Sequence, residues 1–127
     1  MTVSDTFEGG ILYVVEEGEF SLVDAQRTFL EMLEMIRNTG ARKVLFDGRE
    51  VTGEPVVIER FYYGEFAANS VENFVKSEDD EKPQFAYVLR EPVLDPLRLG
   101  ETVAVNRGMN VKAFQNVHEA VQWLNMN

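Results

Sequence analysis

Residues 42–54 contain an apolar strand followed by a polar loop and a helix start, and this unit constrains the fold more than any other part of the sequence. Its apolar run Val44–Phe46 is continuous rather than alternating, which is typical of a strand covered on both faces in a parallel sheet. We predict a strand that ends at Asp47, a loop, and a helix over about 55–75. Ligands of open α/β sheets bind beyond the carboxyl ends of strands, beside helix N-termini, so the functional site is predicted here.

The other strand and helix signals alternate along the chain. Two β-rich runs, 3–7 and 11–16, flank Gly9-Gly10 and predict a hairpin. Apolar periodicity and capping residues predict further helices. The remaining predicted elements are strands over 85–89 and 111–114 and helices over 21–40, 95–107 and 116–124, with Ser21, Asp95-Pro96 and Asn116 at the helix starts.

The resulting order, β-β-α-β-α-β-α-β-α, predicts an α/β fold. Strands that alternate with helices form a central, mostly parallel sheet, here of four to five strands, with flanking helices. The N-terminal β-hairpin adds antiparallel pairing. The chain of 127 residues is long enough to bury a core and has neither a repeat nor a linker, so a single domain over 1–127 is predicted.

The charge and residue composition exclude several classes of partner. With 22 acidic against 12 basic residues and a net charge of -10, the chain repels nucleic acid and anionic membrane surfaces. It has no cysteine, which excludes disulfides and Cys-based metal sites. No apolar run reaches the ~20 residues of a membrane span, and no signal peptide is visible. We expect a cytoplasmic protein without nucleic-acid partners, membrane insertion or a cofactor.

The loop after the predicted strand carries the candidate chemistry. Asp47, Glu50 and Glu54 could form a carboxylate cluster for acid–base work or for a hard cation, and Arg49 could orient an anion. Alternatively, Asp47 is a strand-end residue and Arg49 pairs with a neighbouring acid, since such ion pairs also perturb carboxylates. The only histidine, His118, belongs to no motif with a nucleophile. No complete catalytic constellation is visible, so no metal site and no enzyme are predicted.

The helix predicted over 55–75 has two apolar stripes. Ile58, Tyr62 and Phe66 lie about 140° from the core stripe at ~100° per residue. A helix packed on a sheet needs one apolar face, so we expect the second stripe to be covered. Another helix of the chain, a second subunit in a homodimer, or an apolar ligand could cover it. The core stripe consists of Val57, Phe61, Gly64, Ala68, Val71 and Val75.

Three segments carry a resemblance to a known family. They are 43–53 (Lys-Val-Leu-Phe-Asp-Gly-Arg-Glu-Val-Thr-Gly), 99–108 (Leu-Gly-Glu-Thr-Val-Ala-Val-Asn-Arg-Gly), and 110–114 leading into 119–124. With this layout the chain resembles the SpoIIAA-like family of the STAS superfamily, which includes anti-sigma-factor antagonists and the cytoplasmic domains of sulfate transporters. The resemblance implies a sheet of four or five strands flanked by helices, and a likeness to CRAL-TRIO lipid-transfer domains. It implies little about activity, because fold does not fix function.

One region departs from that family. Antagonist STAS domains carry a phosphorylatable serine at the start of the helix after this strand, whereas this chain reads Thr52-Gly53-Glu54-Pro55. Thr52 is the only hydroxyl there, so a phosphoserine switch is not carried over. Glu54 either mimics a permanently charged state or simply interacts favourably with the positive end of the helix dipole.

The sequence therefore predicts a non-enzymatic, STAS-like binding or regulatory module. It would bind a partner protein or a small molecule, including a lipid-like one, near residues 47–58. The alternatives are a small enzyme that uses the carboxylate cluster with its arginine, and a purely structural homo-oligomer. The predicted binding residues are Asp47, Arg49, Glu50, Thr52, Glu54, Ile58, Tyr62 and Phe66.

Overall fold

Five strands and four helices alternate in the computed structural model, which describes residues 2–78 and 81–126. The predicted element order is confirmed. None of the helices in these residues has the length and apolar composition needed to cross a bilayer. The elements are β1 (Thr2–Glu8), β2 (Ile11–Glu19), α1 (Leu22–Thr39), β3 (Lys43–Thr52), α2 (Val57–Glu78), β4 (Gln84–Val88), α3 (Leu99–Asn106), β5 (Asn110–Phe114) and α4 (Val117–Asn125).

The strands form one sheet in the order β1-β2-β3-β4-β5. β1 and β2 pair antiparallel, and every other neighbouring pair is parallel, which confirms the predicted mostly parallel sheet. Glu8 pairs with Ile11 across the hairpin, and Gly9 and Gly10 between them have φ angles of 60° and 81°. Two consecutive positive φ angles make the tight hairpin turn that glycine pairs favour.

Helices cover both faces of the sheet, so β3 is buried on both sides. Val44 and Phe46 belong to the core under α1, α2 and α3, whereas Leu45 belongs to the core under α4. Neighbouring residues of a strand point to opposite faces, which explains the continuous apolar run. In the core under α4, the Trp123 ring lies 5.8 Å from that of Phe114.

The predicted end of β3 at Asp47 is wrong, because the strand continues to Thr52. The reason is non-local: β2 extends to Glu19 and supplies parallel pairing partners for 50–52. The register shifts between Val15 and Glu17, so Glu16 of β2 lies opposite two residues of β3. Such a β-bulge inserts one residue and bends the strand without ending it.

Gly48 lies within this bulge, where a side chain would have to displace its neighbours. A Cβ atom at Gly48 would lie 2.8 Å from Leu89 Cδ2 and 2.8 Å from Phe46 Cε1. The extra residue also changes which face later side chains point to: Val51 faces the same side as Phe46 and lines a cavity there. Gly48 suggested a loop in the sequence, but in the structure it allows β3 to continue through a β-bulge.

The predicted core stripe of α2 requires one correction. Val57, which was assigned to that stripe, is 70% exposed, whereas Ala67, Val71 and Phe74 are buried. In the first turn of α2, the Glu59 carboxylate accepts a hydrogen bond from the Val56 N–H at 2.9 Å. The helix start is thus capped at the surface while the later turns pack on the core.

The predicted helix start at Asp95-Pro96 is also wrong, since α3 begins at Leu99. Asp95 still satisfies a helix donor, because its carboxylate accepts from the Leu99 N–H at 3.1 and 3.3 Å. Arg98 has a left-handed backbone, with φ 52°, so Asp95 and Pro96 are not part of a helix that continues into α3. Residues 90–98, the tether segment, instead form turns.

Helices α2 and α3 approach each other through glycine. A Cβ atom at Gly64 would lie 2.6 Å from the Gly100 carbonyl oxygen and 3.2 Å from Val103 Cβ. No side chain fits at such a distance unless the helices move apart. At Gly100, by contrast, the nearest atom to an added Cβ is the Arg60 carbonyl oxygen at 3.4 Å, an ordinary contact.

Substitutions at Gly64 and Gly100 distinguish the effect of close packing on stability from the effect of helix propensity. Gly64→Ala should lower the free energy of unfolding by about 1–3 kcal/mol, because overpacking outweighs the gain in helix propensity. Gly100→Ala, the matched control, should leave it unchanged or raise it by up to ~1 kcal/mol. Urea denaturation of both variants measures the difference, and equal stability of the two would contradict the glycine contact.

Candidate functional site

A cavity of about 140 Å³ lies between the sheet, α2, α3 and the tether segment. It is partly open to solvent, and most of its wall is apolar. Small residues on the two helices make the space: Gly64 and Ala67 on α2, and Gly100 and Ala104 on α3, all line it. The first turns of α2 border the cavity on one side, and residues of β3, β4 and β5 border it on the other.

Glu16 is the buried acid of this cavity. It is 2% exposed and follows Leu12 and Val14 on the same face of β2, at the bulge opposite β3. The Thr28 side chain of α1 forms a hydrogen bond with it. Its Oε2 atom has no hydrogen-bond partner among the described residues. Most buried polar atoms in proteins have a hydrogen-bond partner, so this oxygen calls for an explanation.

The environment of Glu16 favours its protonated form. Burial raises the pKa of this carboxyl to about 7, and the Thr28 hydrogen bond only partly opposes the effect. The nearby carboxylates of Asp24 and Glu31 on α1 raise the pKa further. The group therefore changes protonation near neutral pH, where an ordinary glutamate is fully ionised.

Two tyrosines extend the polar part of the cavity. The Tyr63 hydroxyl of α2 and the Tyr87 hydroxyl of β4 lie 2.6 Å apart and share a hydrogen bond. Burial raises the pKa of both phenols well above the ordinary value, and the charge of Glu16 adds to the effect. Both hydroxyls are therefore neutral at physiological pH. The Phe46 ring packs 4.7 Å from that of Tyr87 and fixes its position.

Arginines hold the tether segment over the cavity. Arg60 of α2 donates to the carbonyl oxygens of Val93 and Pro92 at 2.6 and 2.7 Å, and its guanidinium lies 3.5 Å from Asp95. Arg98 donates to the Ala113 carbonyl oxygen at 2.6 Å. Through these hydrogen bonds, the two guanidinium groups connect the tether segment to α2 and β5.

In place of the predicted carboxylate cluster, the structure has an ion pair between Asp47 and Arg49. Arg49 donates to both oxygens of Asp47, at 2.9 and 2.8 Å, and these bonds hold the pKa of Asp47 below its usual value. Glu50 and Glu54 are exposed. Among residues 2–78 and 81–126, no three acidic or histidine side chains form a group that could hold a metal ion. The geometry matches the ion-pair alternative for Asp47 and Arg49.

Thr52 lies in β3 rather than at the start of α2. Its hydroxyl is exposed and lies 3.5 Å from the Gly18 carbonyl oxygen. The capping carboxylate of α2 belongs to Glu59 rather than Glu54. The hydroxyl and the helix start that a phosphoserine switch would combine are therefore separated in this chain.

The second stripe of α2 is covered unevenly. Phe66 is partly buried and packs against the core, so the chain itself covers it. Ile58 and Tyr62 remain 52% and 46% exposed. Tyr62 and Phe66 line a groove between α1 and α2, with Gln26 on its other side. Cover of the exposed residues by a second subunit or a ligand stays a prediction.

Sequence reasoning missed Glu16, Tyr63 and Tyr87. One signal was available for the first of them, because Glu16 continues the alternation of Leu12 and Val14 that predicts a buried face. The tyrosines gave no such signal. Their hydroxyls meet only because α2 packs on β4, which is a tertiary contact.

Comparisons with known proteins support the fold. The sequence matches no protein-family model and no curated protein. The structure is similar to the crystal structure of an anti-sigma factor antagonist from Mycobacterium paratuberculosis, with a TM-score of 0.63 and 14% identity over 98% of this chain and 93% of that one. It is also similar to the NMR structure of the protein TM1081, with a TM-score of 0.54 and 14% identity over 100% and 91% of the two chains. The fold implied by the resemblance, a five-stranded sheet flanked by helices, is therefore confirmed.

The raised pKa of Glu16 predicts how stability depends on pH. The folded protein binds a proton more tightly than the unfolded chain, so stability is lost as pH rises from 4.5 to about 7 and changes little above that. Glu16→Gln keeps the shape and removes the titration. Relative to the unsubstituted protein, the variant should gain up to about 3 kcal/mol in free energy of unfolding between pH 5 and pH 8.

Urea denaturation at pH 5, 6, 7 and 8 measures this gain. Glu19→Gln is the matched control, because Glu19 is an exposed carboxylate on the same strand. Its stability should follow that of the unsubstituted protein at every pH. Parallel curves for Glu16→Gln and the unsubstituted protein would show that Glu16 does not titrate in this range.

Proposed function

We propose that this protein is a non-enzymatic binding module of STAS-like fold that holds a small apolar molecule in the cavity between its sheet, α2 and α3. The observation that carries the proposal is the cavity itself, whose wall is largely apolar and contains a few convergent polar groups. Pockets of that kind are the usual sites of small-molecule binding. The cavity borders α2 near Arg60, close to the predicted 47–58 region.

The volume limits the size of the molecule. An engineered cavity of ~150 Å³ lined by apolar side chains binds benzene in another protein. The cavity described here has about 140 Å³. A molecule the size of one six-membered ring, or one end of a lipid-like chain, therefore fits the space, and a large cofactor does not.

The wall chemistry favours binding over catalysis. Within the described parts of the chain, the residues lining the cavity include no Ser, Thr, Cys, His or Lys nucleophile, and the candidate general bases of the wall are the carboxyls of Glu16, Glu59, Asp95 and Glu101. Tyr63 and Tyr87 have raised pKa values, so neither is an activated phenolate. His118, the only histidine, lies at the start of α4 and not in the cavity wall.

A regulatory role with a partner protein is the second candidate. Val56, Val57 and Ile58 form an exposed apolar run at the start of α2, with exposures of 57%, 70% and 52%. Exposed apolar clusters of this kind are typical of protein-interaction sites. A structurally similar protein is an anti-sigma factor antagonist. In this proposal, the run contacts a partner, and the molecule in the adjacent cavity modulates that contact through α2.

Toluene is a direct probe of the cavity. Added to the protein, it should shift the amide resonances of Gly64, Ala67 and Ala113, which line the cavity. The hairpin glycines Gly9 and Gly10 should not shift. Titration in ¹H–¹⁵N correlation spectra measures both the position of binding and the dissociation constant.

A variant that fills the cavity tests whether the space is required. Ala104→Leu adds bulk at a buried cavity residue of α3 and should weaken toluene binding by roughly tenfold or more, a loss of ~1.4 kcal/mol. Val105→Leu, at an exposed residue of the same helix, is the matched control and should bind as the unsubstituted protein does. Absence of saturable toluene shifts in the unsubstituted protein would overturn the proposal.

A further inference from the structure

We propose that Glu16 Oε2 is the anchor of this binding site, so that the cavity selects a ring-sized molecule carrying one hydrogen-bond donor, an aromatic alcohol or amine. This inference rests on the proposed function and names the class of ligand. Glu16 lines the cavity, is 2% exposed, and leaves Oε2 without a partner among the described residues. A purely apolar guest would leave that oxygen unpaired, whereas a donor would satisfy it.

The neighbouring polar groups explain why the anchor seeks a donor. The Thr28 side chain already forms a hydrogen bond with Glu16. The hydroxyls of Tyr63 and Tyr87 are engaged with each other at 2.6 Å. Among the described residues lining the cavity, Glu16 Oε2 is thus the buried side-chain atom without a hydrogen-bond partner. An ionised carboxylate only accepts hydrogen bonds.

The charged surroundings favour the same chemistry. Asp24 and Glu31 of α1 act on Glu16 as like charges, and the neutral phenols of Tyr63 and Tyr87 face it from α2 and β4. Arg60 and Arg98 also line the cavity, but both donate to backbone carbonyls of the surrounding segments. The remaining charged groups of the wall are Glu59, Asp95 and Glu101. A carboxylate ligand would meet repulsion here, and a neutral or cationic donor would not.

Protonation of Glu16 couples this selectivity to pH. An ionised carboxylate forms stronger hydrogen bonds with a donor than a neutral carboxyl does. Because burial raises the pKa of Glu16 to about 7, the acceptor form becomes dominant just above neutral pH. The preference for a donor over an apolar molecule of the same size should therefore grow as pH rises through 7.

Phenol and toluene provide the test, since both are single rings and only phenol carries a donor. Their dissociation constants are measured by NMR titration at pH 5.5 and pH 8.0, and the ratio of toluene to phenol constants reports the preference for the donor. At pH 8.0 the ratio should be roughly tenfold higher than in Glu16→Leu, which removes the acceptor. In the unsubstituted protein it should rise from pH 5.5 to 8.0, and in Glu16→Gln it should stay level. Glu19→Gln, exposed and outside the cavity, should behave as the unsubstituted protein does.

The outcomes separate this inference from the proposed function. If neither ring binds the unsubstituted protein, the proposed function fails. Suppose that both rings bind in the cavity, that the ratio of toluene to phenol constants in the unsubstituted protein is the same at pH 5.5 and pH 8.0, and that Glu16→Leu or Glu16→Gln gives the same ratio. The cavity then binds apolar molecules, and Glu16 does not select them. The pH series on the unsubstituted protein decides the question even if Glu16→Leu does not fold.

Discussion

The parallel pairing of β2 with β3, interrupted by one bulge, is the interaction on which the rest of this structure depends. It extends β3 past Asp47 to Thr52 and places Glu16 opposite the inserted residue. The inserted residue also turns Val51 toward the side of the sheet that carries α1, α2 and α3. A regular ladder would reverse the faces of all later side chains of β3. The contribution of Val51 to the cavity wall is thus a consequence of a single extra residue.

The second wall depends on backbone contact rather than on side-chain packing. Gly64 and Gly100 let α2 and α3 touch at one crossing, and the small residues Ala67 and Ala104 leave space beside it. Arg60 then holds the tether segment at the edge of that space through two carbonyl hydrogen bonds. The tight crossing of α2 and α3 thus lies directly beside an unfilled volume.

Local signals predicted the parts of the structure that local physics decides. Ser21 and Asn116 cap α1 and α4 as expected, each accepting from a backbone N–H three residues later, and Gly40 ends α1 in the left-handed conformation. The errors fall where distant contacts decide. The end of β3 depends on β2, and the start of α3 depends on how Asp95 and the rest of the tether segment are held.

The candidate site shows the same division. The sequence predicted a site near the end of β3 and the start of α2, but none of the eight predicted binding residues lines the cavity. It did identify the pairing of Asp47 with Arg49 as one alternative. It could not identify Tyr63 and Tyr87, which are 24 positions apart and meet through packing. Nor could it reveal the cavity, since an empty volume is a property of how helices cross and leaves no pattern in one sequence.

The position of Trp123 has a practical consequence for spectroscopy. This is the only tryptophan of the chain; it belongs to α4 and packs beside Phe114, on the face of the sheet opposite the cavity. Its fluorescence therefore reports the integrity of the α4 core and is insensitive to what occupies the cavity. The paired phenols of Tyr63 and Tyr87, by contrast, lie on the face of the sheet that carries the cavity.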